Sequence, residues 1–386
     1  MKEHLNRKSY RILENDENIS KKTICSLTTR VTKELINSNE LTKLLKPQNY
    51  SGIILIDGKC VPVKIVEERK FAGFMPWSKK RRGRTKRGLV IIPFIDYETH
   101  DIPIYINALS ENMYEIEKGF RELKDMGYQL KVVVCDESMG EIAQAAKKVF
   151  PDVIIQFCLT HYSKCIERCF KVGCIKRSIK ALENKLNRLN DSIFIPTHHY
   201  ARERAVDIVN RIAELEYEYG YMIRIREIFQ NIFWKAETIE EINNLEDELN
   251  VIIGCMDLKN YPYRQRIVDR YLDYYDKRER IIAFALHPEL NIPKTTNLIE
   301  GFNSTTLELR LSSIRGFEKE ENARNYINAL ILKRRFTKFT DCRRKFKHLN
   351  GRSPLEIAEP LNNFYLKSCS RDWVRFCRNI KKYPPK

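Results

Sequence analysis

The sequence has no apolar run long enough to cross a membrane, which excludes a protein built on membrane-spanning helices. The first 22 residues, MKEHLNRKSYRILENDENISKK, are too polar for a secretory signal peptide. We find neither an internal repeat nor a low-complexity segment. The 11 cysteines, without a secretion signal, therefore indicate reduced thiols in a cytoplasmic protein, nucleoid-associated in a prokaryote, or in a nuclear protein of a eukaryote.

Acidic residues are in the minority, with 51 Asp and Glu against 69 Lys and Arg and a formal net charge of +18. Such an excess usually meets a polyanion, so nucleic acid is the first expectation for a partner. An anionic membrane surface is the weaker alternative, because no clean basic amphipathic helix stands out. The 386 residues, 43% of them hydrophobic, are enough for a sizeable core and two or three domains.

The first 48 residues are polar, with one short amphipathic helix predicted after Ser20 as its N-cap. Four apolar residues recur there at helical spacing, namely Ile24, Leu27, Val31 and Leu35. The segment KPQNYSG then breaks the pattern. We predict a helical segment over residues 1–48 and a candidate helix-turn-helix within it.

Extended segments dominate residues 49–160. GIILIDG is predicted as a strand with CVPVKIVEE as its hairpin partner, followed by strands in GLVIIPFIDYET and HDIPIYINAL and by a basic loop at 79–88. A helix with Met113, Ile116, Phe120 and Leu123 on one face, closed by Gly127, precedes strands in LKVVVCD and DVIIQFC. The fold class is therefore α/β with a mixed sheet.

From about residue 159 to 293 the pattern changes to long, charged, amphipathic helices without strands. We predict an all-helical insertion over 161–294 between two parts of the α/β core, 49–160 and 295–350. The second part contains a helix in TNLIEGFNSTTLELRL and a second, strongly basic helix in NARNYINALILKRRFTKFTDCRRKFKH. Residues 351–386 are predicted as a C-terminal tail.

Three carboxylates stand out. Asp57 and Asp136 each close an apolar strand, where ligands gather in open α/β sheets. Two adjacent carboxylates repel unless a cation lies between them, and oxygen ligands of this kind favour Mg²⁺. Glu300 shares a helical face with Asn297 and Ser304. For each residue alone, an ordinary helix-capping or turn role is the alternative.

These motifs resemble those of the Mutator-like and IS256 superfamily of transposases. The resemblance lies in the DG that closes the first strand, in the block from Asp136 to CLTH, and in TNLIEGFN, and it covers roughly residues 50–340. It implies a five-stranded RNase H-like sheet interrupted by a helical insertion. It also implies a catalytic DDE triad of Asp57, Asp136 and Glu300, with Cys158 and His161 as a signature near the active site.

The activity implied by the resemblance is transposition of a mobile element. The enzyme would hydrolyse DNA at the element's ends and join the exposed 3′-hydroxyl to target DNA. Two Mg²⁺ ions, about 4 Å apart and replaceable by Mn²⁺, would activate water and stabilise the leaving oxygen. The expected partners are the terminal inverted repeats, the target DNA and at least one further copy of the chain.

The two densest basic runs are predicted to contact DNA phosphates, with a solvated face or a nuclear-import signal as the alternative. Their residues are Lys79, Lys80, Arg81, Arg82, Arg84, Lys86, Arg87, Lys333, Arg334, Arg335, Arg343, Arg344 and Lys345. Trp234 could stack on a DNA base, as in some related transposases, but packing with Phe229 and Phe233 in the helical core is the preferred interpretation.

A structural zinc is not expected. Cys158, His161, Cys165 and Cys169 follow one helical face and cannot converge on one ion, so the last two are interpreted as small core residues. Two rival functions stay open: a domesticated or decayed DNA-binding relative without cleavage, and a different RNase H-like nuclease. Family members often carry a longer N-terminal DNA-binding region; here we expect recognition of the ends to rest on the short helical segment and the basic runs, or the chain to be a shortened copy.

Overall fold

The computed structural model of the protein describes residues 20–57, 63–69, 83–108, 112–137, 140–170, 172–193, 199–255, 264–311, 314, 317, 319–359 and 372–382. The chain divides into two compact units. The first comprises Met1–Ile155 with Thr295–Lys386, and the second comprises Gln156–Lys294.

The first unit is built around a mixed sheet. Its strands are β1 (Ile53–Leu55), β2 (Val63–Arg69), β3 (Gly83–Asp96), β4 (Ile104–Ala108), β5 (Val132–Cys135) and β6 (Ile154–Phe157). The order is β2-β3-β1-β5-β6, with β4 paired to β3. β1 runs antiparallel to β3 and parallel to β5, so the predicted mixed α/β class is confirmed.

The predicted pairing of β1 with the segment CVPVKIVEE is wrong. β2 pairs instead with the first half of β3, from Val63 opposite Leu89 to Arg69 opposite Gly83, while the second half of β3 pairs with β4. β3 is 14 residues long and can therefore serve three partners in turn. Residues Gly83–Arg87, predicted as part of a basic loop, belong to this strand.

Helices cover the sheet of the first unit. They are α1 (Lys21–Glu34), α2 (Ser38–Leu45), α3 (Met113–Asp125), α4 (Gly140–Val149), α11 (Asn297–Phe302), α12 (Leu309–Leu311), α13 (Glu320–Phe336), α14 (Pro354–Ala358) and α15 (Trp373–Lys382), with a π-helical segment at Asn303–Glu308 and a 3₁₀ helix at Arg344–Leu349. α13 ends at Phe336, so the predicted basic helix does not continue to 348. Thr337 is extended, with φ −82° and ψ 121°.

The terminal segments are part of the first unit's core. Leu35, Ile36 and Leu41 near the N-terminus, and Trp373 and Cys377 near the C-terminus, are buried in one cluster with the apolar face of α13. The Ile36 N–H donates to the Cys377 carbonyl at 3.1 Å. The predicted tail therefore includes a helix that completes the core.

The second unit is helical in its described residues, apart from the end of β6. It contains α5 (Leu159–Phe170), α6 (Val172–Ile193), α7 (His199–Trp234), α8 (Ile239–Gly254), α9 (Arg264–Ile281) and α10 (Ala283–Leu286), and a 3₁₀ turn at Pro288–Leu290. The 36-residue α7 packs against α5, α6 and α8. A capping box of Thr238 and Glu241 starts α8. Across the described helices, none is both long and apolar enough to cross a membrane.

Candidate active site

Asp57 and Asp136 follow neighbouring parallel strands. Leu55 of β1 is opposite Val134 of β5, and the Ile56 N–H donates to the Val134 carbonyl at 2.9 Å. Continuing this register by two residues places Asp57 opposite Asp136. The two carboxylates that the sequence predicts as partners therefore leave the sheet side by side.

The register is fixed at the other end of β1 by Gly52. Its carbonyl accepts hydrogen bonds from the N–H groups of Lys131 and Val132, at 2.8 and 3.0 Å. Gly52 has φ +82°, and a Cβ there would lie 2.7 Å from the Gln129 carbonyl oxygen. Only glycine fits this close approach, which sets the stagger of the two strands and hence of the two aspartates.

The surroundings of the pair have low polarity. Every residue of β1 and β5 is buried, Asp57 is 1% exposed and Asp136 is half-buried. Two ionised carboxylates in such a place disfavour each other unless a cation or a proton offsets the charge. One or two carboxylates, completed by water and substrate phosphate, are a usual ligand set for Mg²⁺, so the pair fits this ion.

Glu300 lies on α11, whose Ile299 and Phe302 are buried in the core of the first unit. Its own side chain is half-buried. Within the described part of the chain, no three residues among His, Cys, Asp and Glu are grouped so that they could hold a metal ion. The register thus sets Asp57 opposite Asp136, and the role of Glu300 as a third ligand stays a prediction.

A π-helical segment, Asn303–Glu308, follows α11 directly. The hydroxyls of Ser304 and Thr305 both donate to the Gly301 carbonyl, at 3.2 and 2.7 Å. Such π-helical insertions are uncommon and occur frequently at functional sites. Arg310, just beyond the segment, is buried and was not predicted as a site residue. Its signal in the sequence is a single cation between Leu309 and Leu311.

The first basic run lies partly on a two-stranded ribbon. β2 and the first half of β3 form seven antiparallel pairs, and Arg84, Lys86 and Arg87 belong to β3. Since Leu55 is opposite Ile95, the register brings Asp57 level with Pro93, and residues Gly83–Leu89 continue beyond that level. The ribbon therefore leaves the sheet at the carboxylate edge. Lys79, Lys80, Arg81 and Arg82 lie outside the described residues.

The second basic run is divided by the end of α13. Arg343, Arg344 and Lys345 are exposed, whereas Lys333 and Arg334 are half-buried. Arg335 is fully buried, so it cannot contact DNA in the folded protein. For this residue the prediction of a DNA contact is wrong, because a basic run that enters a helix must turn some of its side chains toward the core.

Arg335 is held in a buried network at the opposite edge of the sheet from Asp57. Its Nε and Nη2 donate to the two carboxylate oxygens of Asp101, each at 2.8 Å, while Nη1 donates to Ser38 and Thr42. The Tyr50 hydroxyl also donates to Asp101, at 2.8 Å. Burial, with Asp101 beside it, holds the pKa of Tyr50 well above its usual value.

Asp96, at the end of β3, belongs to the same edge. Its carboxylate accepts hydrogen bonds from Ser51, Thr99 and Tyr128, the last at 2.7 Å. Burial raises the pKa of this carboxyl, although the hydrogen bonds oppose the shift. No sequence motif distinguishes Asp96 or Asp101, and their hydrogen-bond donors mark them as structural residues.

His100 lies in the turn between Asp96 and Asp101 with a left-handed backbone, φ +55°. Its ring packs edge-on against Phe339 and Phe346, with centroids 5.5 and 4.4 Å away. Burial and, to a smaller extent, the nearby cations Arg334 and Lys345 lower the pKa of His100 to about 3. The imidazole is therefore neutral at physiological pH.

Cys158 and His161 belong to the second unit, where both are buried. Cys158 lies between β6 and α5, and His161 in the first turn of α5. Cys165 and Cys169, predicted as core residues, are half-buried. The role of the Cys-x-x-His pair near an active site stays a prediction.

Trp234 ends α7 and is 44% exposed, whereas Phe229 and Phe233 are buried. The preferred expectation, that Trp234 packs in the core with these two residues, is wrong. The helix ends directly after Trp234, where the N–H groups of Lys235 and Ala236 both donate to the Asn231 carbonyl. An exposed indole at a helix end is free of core packing constraints and suits a stacking partner.

Comparison with known proteins identifies no relative: no protein-family model matches this chain, and neither does any curated protein sequence.

Proposed function

We propose that this protein is a DNA transposase that cleaves phosphodiester bonds with Mg²⁺ and joins the resulting 3′-hydroxyl to a second DNA site. The observation that carries the proposal is the register of β1 and β5, which aligns Asp57 with Asp136 at one sheet edge. Paired carboxylates at the carboxyl ends of parallel strands are a recurrent place for ligands, and a pair this close calls for a cation.

Asp57 and Asp136 would hold the metal, with Glu300 as the third ligand once DNA is bound. Bound Mg²⁺ would lower the pKa of a coordinated water and stabilise charge on the leaving oxygen. The chain's contribution is to hold the two carboxylates side by side at the ends of two strands whose residues are all buried. The apolar walls of β1 and β5 exclude bulk water from one side of the pair, which strengthens electrostatic interactions there.

The sheet supports an RNase H-like fold as part of the proposal. β1, β3 and β4 form an antiparallel meander, and β5, α4 and β6 follow as a strand, a helix and a strand. This order agrees with the mixed five-stranded core implied by the transposase motifs, to which β2 is an addition. The helical second unit, Gln156–Lys294, corresponds to the proposed insertion between Asp136 and Glu300.

The distribution of charge supports DNA as the substrate. The β2–β3 ribbon carries its basic residues away from the sheet at the edge that holds the carboxylates. The major groove accepts a two-stranded ribbon, and lysine and arginine bind backbone phosphates. Under this proposal α1 and α2 contribute to recognition of the element ends, Trp234 stacks on a base, and two or more copies hold the two ends together.

The test is a plasmid excision assay in Mg²⁺, with a marker between the gene's own flanking ends. We expect excision by the unaltered protein and a loss of at least about 1,000-fold in Asp57→Asn, Asp136→Asn and Glu300→Gln, equivalent to about 4 kcal/mol of lost transition-state stabilisation. Glu137→Gln is the matched control, because Glu137 is the next acidic residue and lies outside the motif. It should retain excision.

DNA binding separates the alternatives. A loss of excision with end binding unchanged in the three variants would agree with a catalytic triad. Specific binding to the ends without excision by any form would instead identify a DNA-binding relative without cleavage. Nicking of branched DNA without excision would indicate another nuclease, and retained excision in one variant would remove that residue from the triad.

A further inference from the structure

A cavity of about 180 Å³ lies in the first unit, between the π-helical segment and the last two turns of α13. Leu330, Lys333, Arg334 and Thr337 line one wall, at the spacing of a single helix face. Thr305, Thr306 and Arg310 line the other wall. A water molecule occupies about 30 Å³ of liquid, so the cavity has room for a small anion with part of its hydration shell.

The lining is positive. Three of the seven described lining residues are cations, three are threonines and none is acidic. Arg310 is buried, and Lys333 and Arg334 are half-buried, so their charges are held in a partly desolvated place. A partly desolvated place lined by several cations and hydroxyl groups favours an anionic ligand.

Arg334 illustrates this cost. Burial lowers its pKa, and the groups that act against this effect are Cys342 and then the carboxylates of Asp101 and Asp341. Asp101 is already engaged by both guanidinium arms of Arg335, and Asp341 is exposed. Arg335, the next residue along α13, therefore binds the Asp101 carboxylate, while Arg334 and Lys333 line the cavity.

We propose that this cavity binds one phosphate group, and that its source is a backbone phosphodiester of the DNA substrate. The inference rests on the proposed function for that source. Arginine and lysine are the preferred donors to phosphate oxygens. The hydroxyls of Thr305 and Thr337, which now donate to the Gly301 and Lys333 carbonyls, can rotate to donate to an anion instead.

The position of the cavity suits this role. Thr306 follows Glu300 by six residues in one continuous helical run, about 9 Å along the axis. Phosphates of one DNA strand advance about 3.4 Å along the duplex axis per nucleotide. The cavity would therefore hold a phosphate a few nucleotides from the group that meets Glu300, and position the strand without reading its sequence.

The experiment measures binding of a labelled 30-base-pair duplex to the full-length protein by fluorescence anisotropy, at several salt concentrations and in EDTA. Lys333→Gln removes one lining charge, and Thr306→Phe fills the cavity while keeping every cation. Losing one phosphate contact should lower the slope of log K against log salt by about 0.9, which is about eightfold in affinity at 0.1 M salt. We expect this loss in both variants.

Lys118→Gln is the matched control, because Lys118 is an exposed lysine of α3 in the same unit and does not line the cavity. It should bind nearly as the unaltered protein does. Equal loss in Lys118→Gln with full binding by Thr306→Phe would overturn the proposal, because both results indicate diffuse surface charge. Thermal unfolding of each variant checks that the fold is retained.

Inorganic phosphate provides the second arm and does not depend on the proposed function. Stabilisation of the unaltered protein by phosphate over chloride at equal ionic strength, lost in Lys333→Gln and Thr306→Phe, supports a phosphate site in the cavity. If that result comes with unchanged DNA binding, free phosphate replaces DNA as the source. If the variants bind DNA normally and phosphate does not stabilise the unaltered protein, the proposed phosphate site is overturned. This conclusion holds whatever the excision assay gives for Asp136→Asn.

Discussion

The two edges of the sheet in the first unit each hold two aspartates, but the neighbours of these aspartates differ. At the edge where β3 ends, Asp101 receives both arms of Arg335, and Asp96 receives three side-chain hydroxyls. At the edge where β1 and β5 end, the register sets Asp57 opposite a second carboxylate, Asp136. Buried aspartates are thus structural when donors surround them and candidates for chemistry when another acid faces them.

The largest expected difference is in stability. Arg335→Gln should lower the free energy of unfolding by about 3–5 kcal/mol, because it leaves the buried Asp101 without its cation. Chemical denaturation of the full-length protein measures the change. Arg343→Gln, an exposed arginine of the same run, should change stability by less than about 0.5 kcal/mol. A small effect of Arg335→Gln would mean that Asp101 does not depend on this pair.

The second-largest expected effect is the pH dependence of stability. It tests the turn at His100, which lies between Asp96 and Asp101 where β3 ends. The folded pKa of about 3 lies below the ordinary 6.5, so the unfolded state binds the proton first as pH falls. Neutral His100 therefore contributes to the free energy of unfolding above pH 6.5, and this contribution is lost progressively toward pH 3. The loss between pH 6.5 and pH 5 is about 2 kcal/mol.

His100→Asn removes the titrating group and keeps a residue type that tolerates the left-handed backbone. Its unfolding free energy should be lower at pH 7 from lost ring packing, yet fall by about 2 kcal/mol less than that of the unaltered protein between pH 6.5 and 5. Parallel pH profiles for the two proteins would show that His100 titrates normally in the folded state.

The smallest expected effect on stability is at the edge where β1 and β5 end with Asp57 and Asp136. Without metal, Asp136→Asn should leave stability unchanged or raise it by up to about 1 kcal/mol, since it removes a like charge opposite Asp57. Mg²⁺ should raise the melting temperature of the unaltered protein and have less effect on the variant, because a ligand that binds only the folded state stabilises it. A loss of several kcal/mol would instead make Asp136 a structural residue like Asp101.

The prediction was most accurate where the pattern is local. The helix predicted from Met113, Ile116, Phe120 and Leu123 is α3, and Gly127 at φ +79° follows its end. The last three residues are fully buried, whereas Met113 at the first position of the helix is exposed. Ser20 caps α1 as expected, through the Thr23 N–H. Periodicity and capping depend on residues within one or two turns, so the sequence alone contains the information.

The prediction failed where a partner distant in sequence decides. Within α1, Leu27 is 39% exposed while Thr28 is buried, because the Thr28 hydroxyl donates to the Ile24 carbonyl and makes a polar residue acceptable inside. Charge and glycine in the basic run at 79–88 suggest a loop, and only pairing with β2 makes its residues from Gly83 onward part of a strand. Strand partners are not encoded in local composition.

Arg334 and Arg335 show the limit most clearly. In sequence they are equivalent members of one basic run, and the helical period alone sends them to different faces of α13. Which face meets Asp101 depends on a residue more than 200 positions away in the chain, and which meets the cavity depends on the π-helical segment and Arg310.

The sequence by itself determined the excess of positive charge, the α/β and helical regions, and the carboxylates that close the first and fifth strands. These follow from composition and short-range periodicity. The tertiary structure decided that Asp57 and Asp136 are in register, that Arg335 is structural and that Trp234 is exposed. Each of these depends on which surfaces meet after folding, and such contacts are set by packing of the whole unit rather than by local preference.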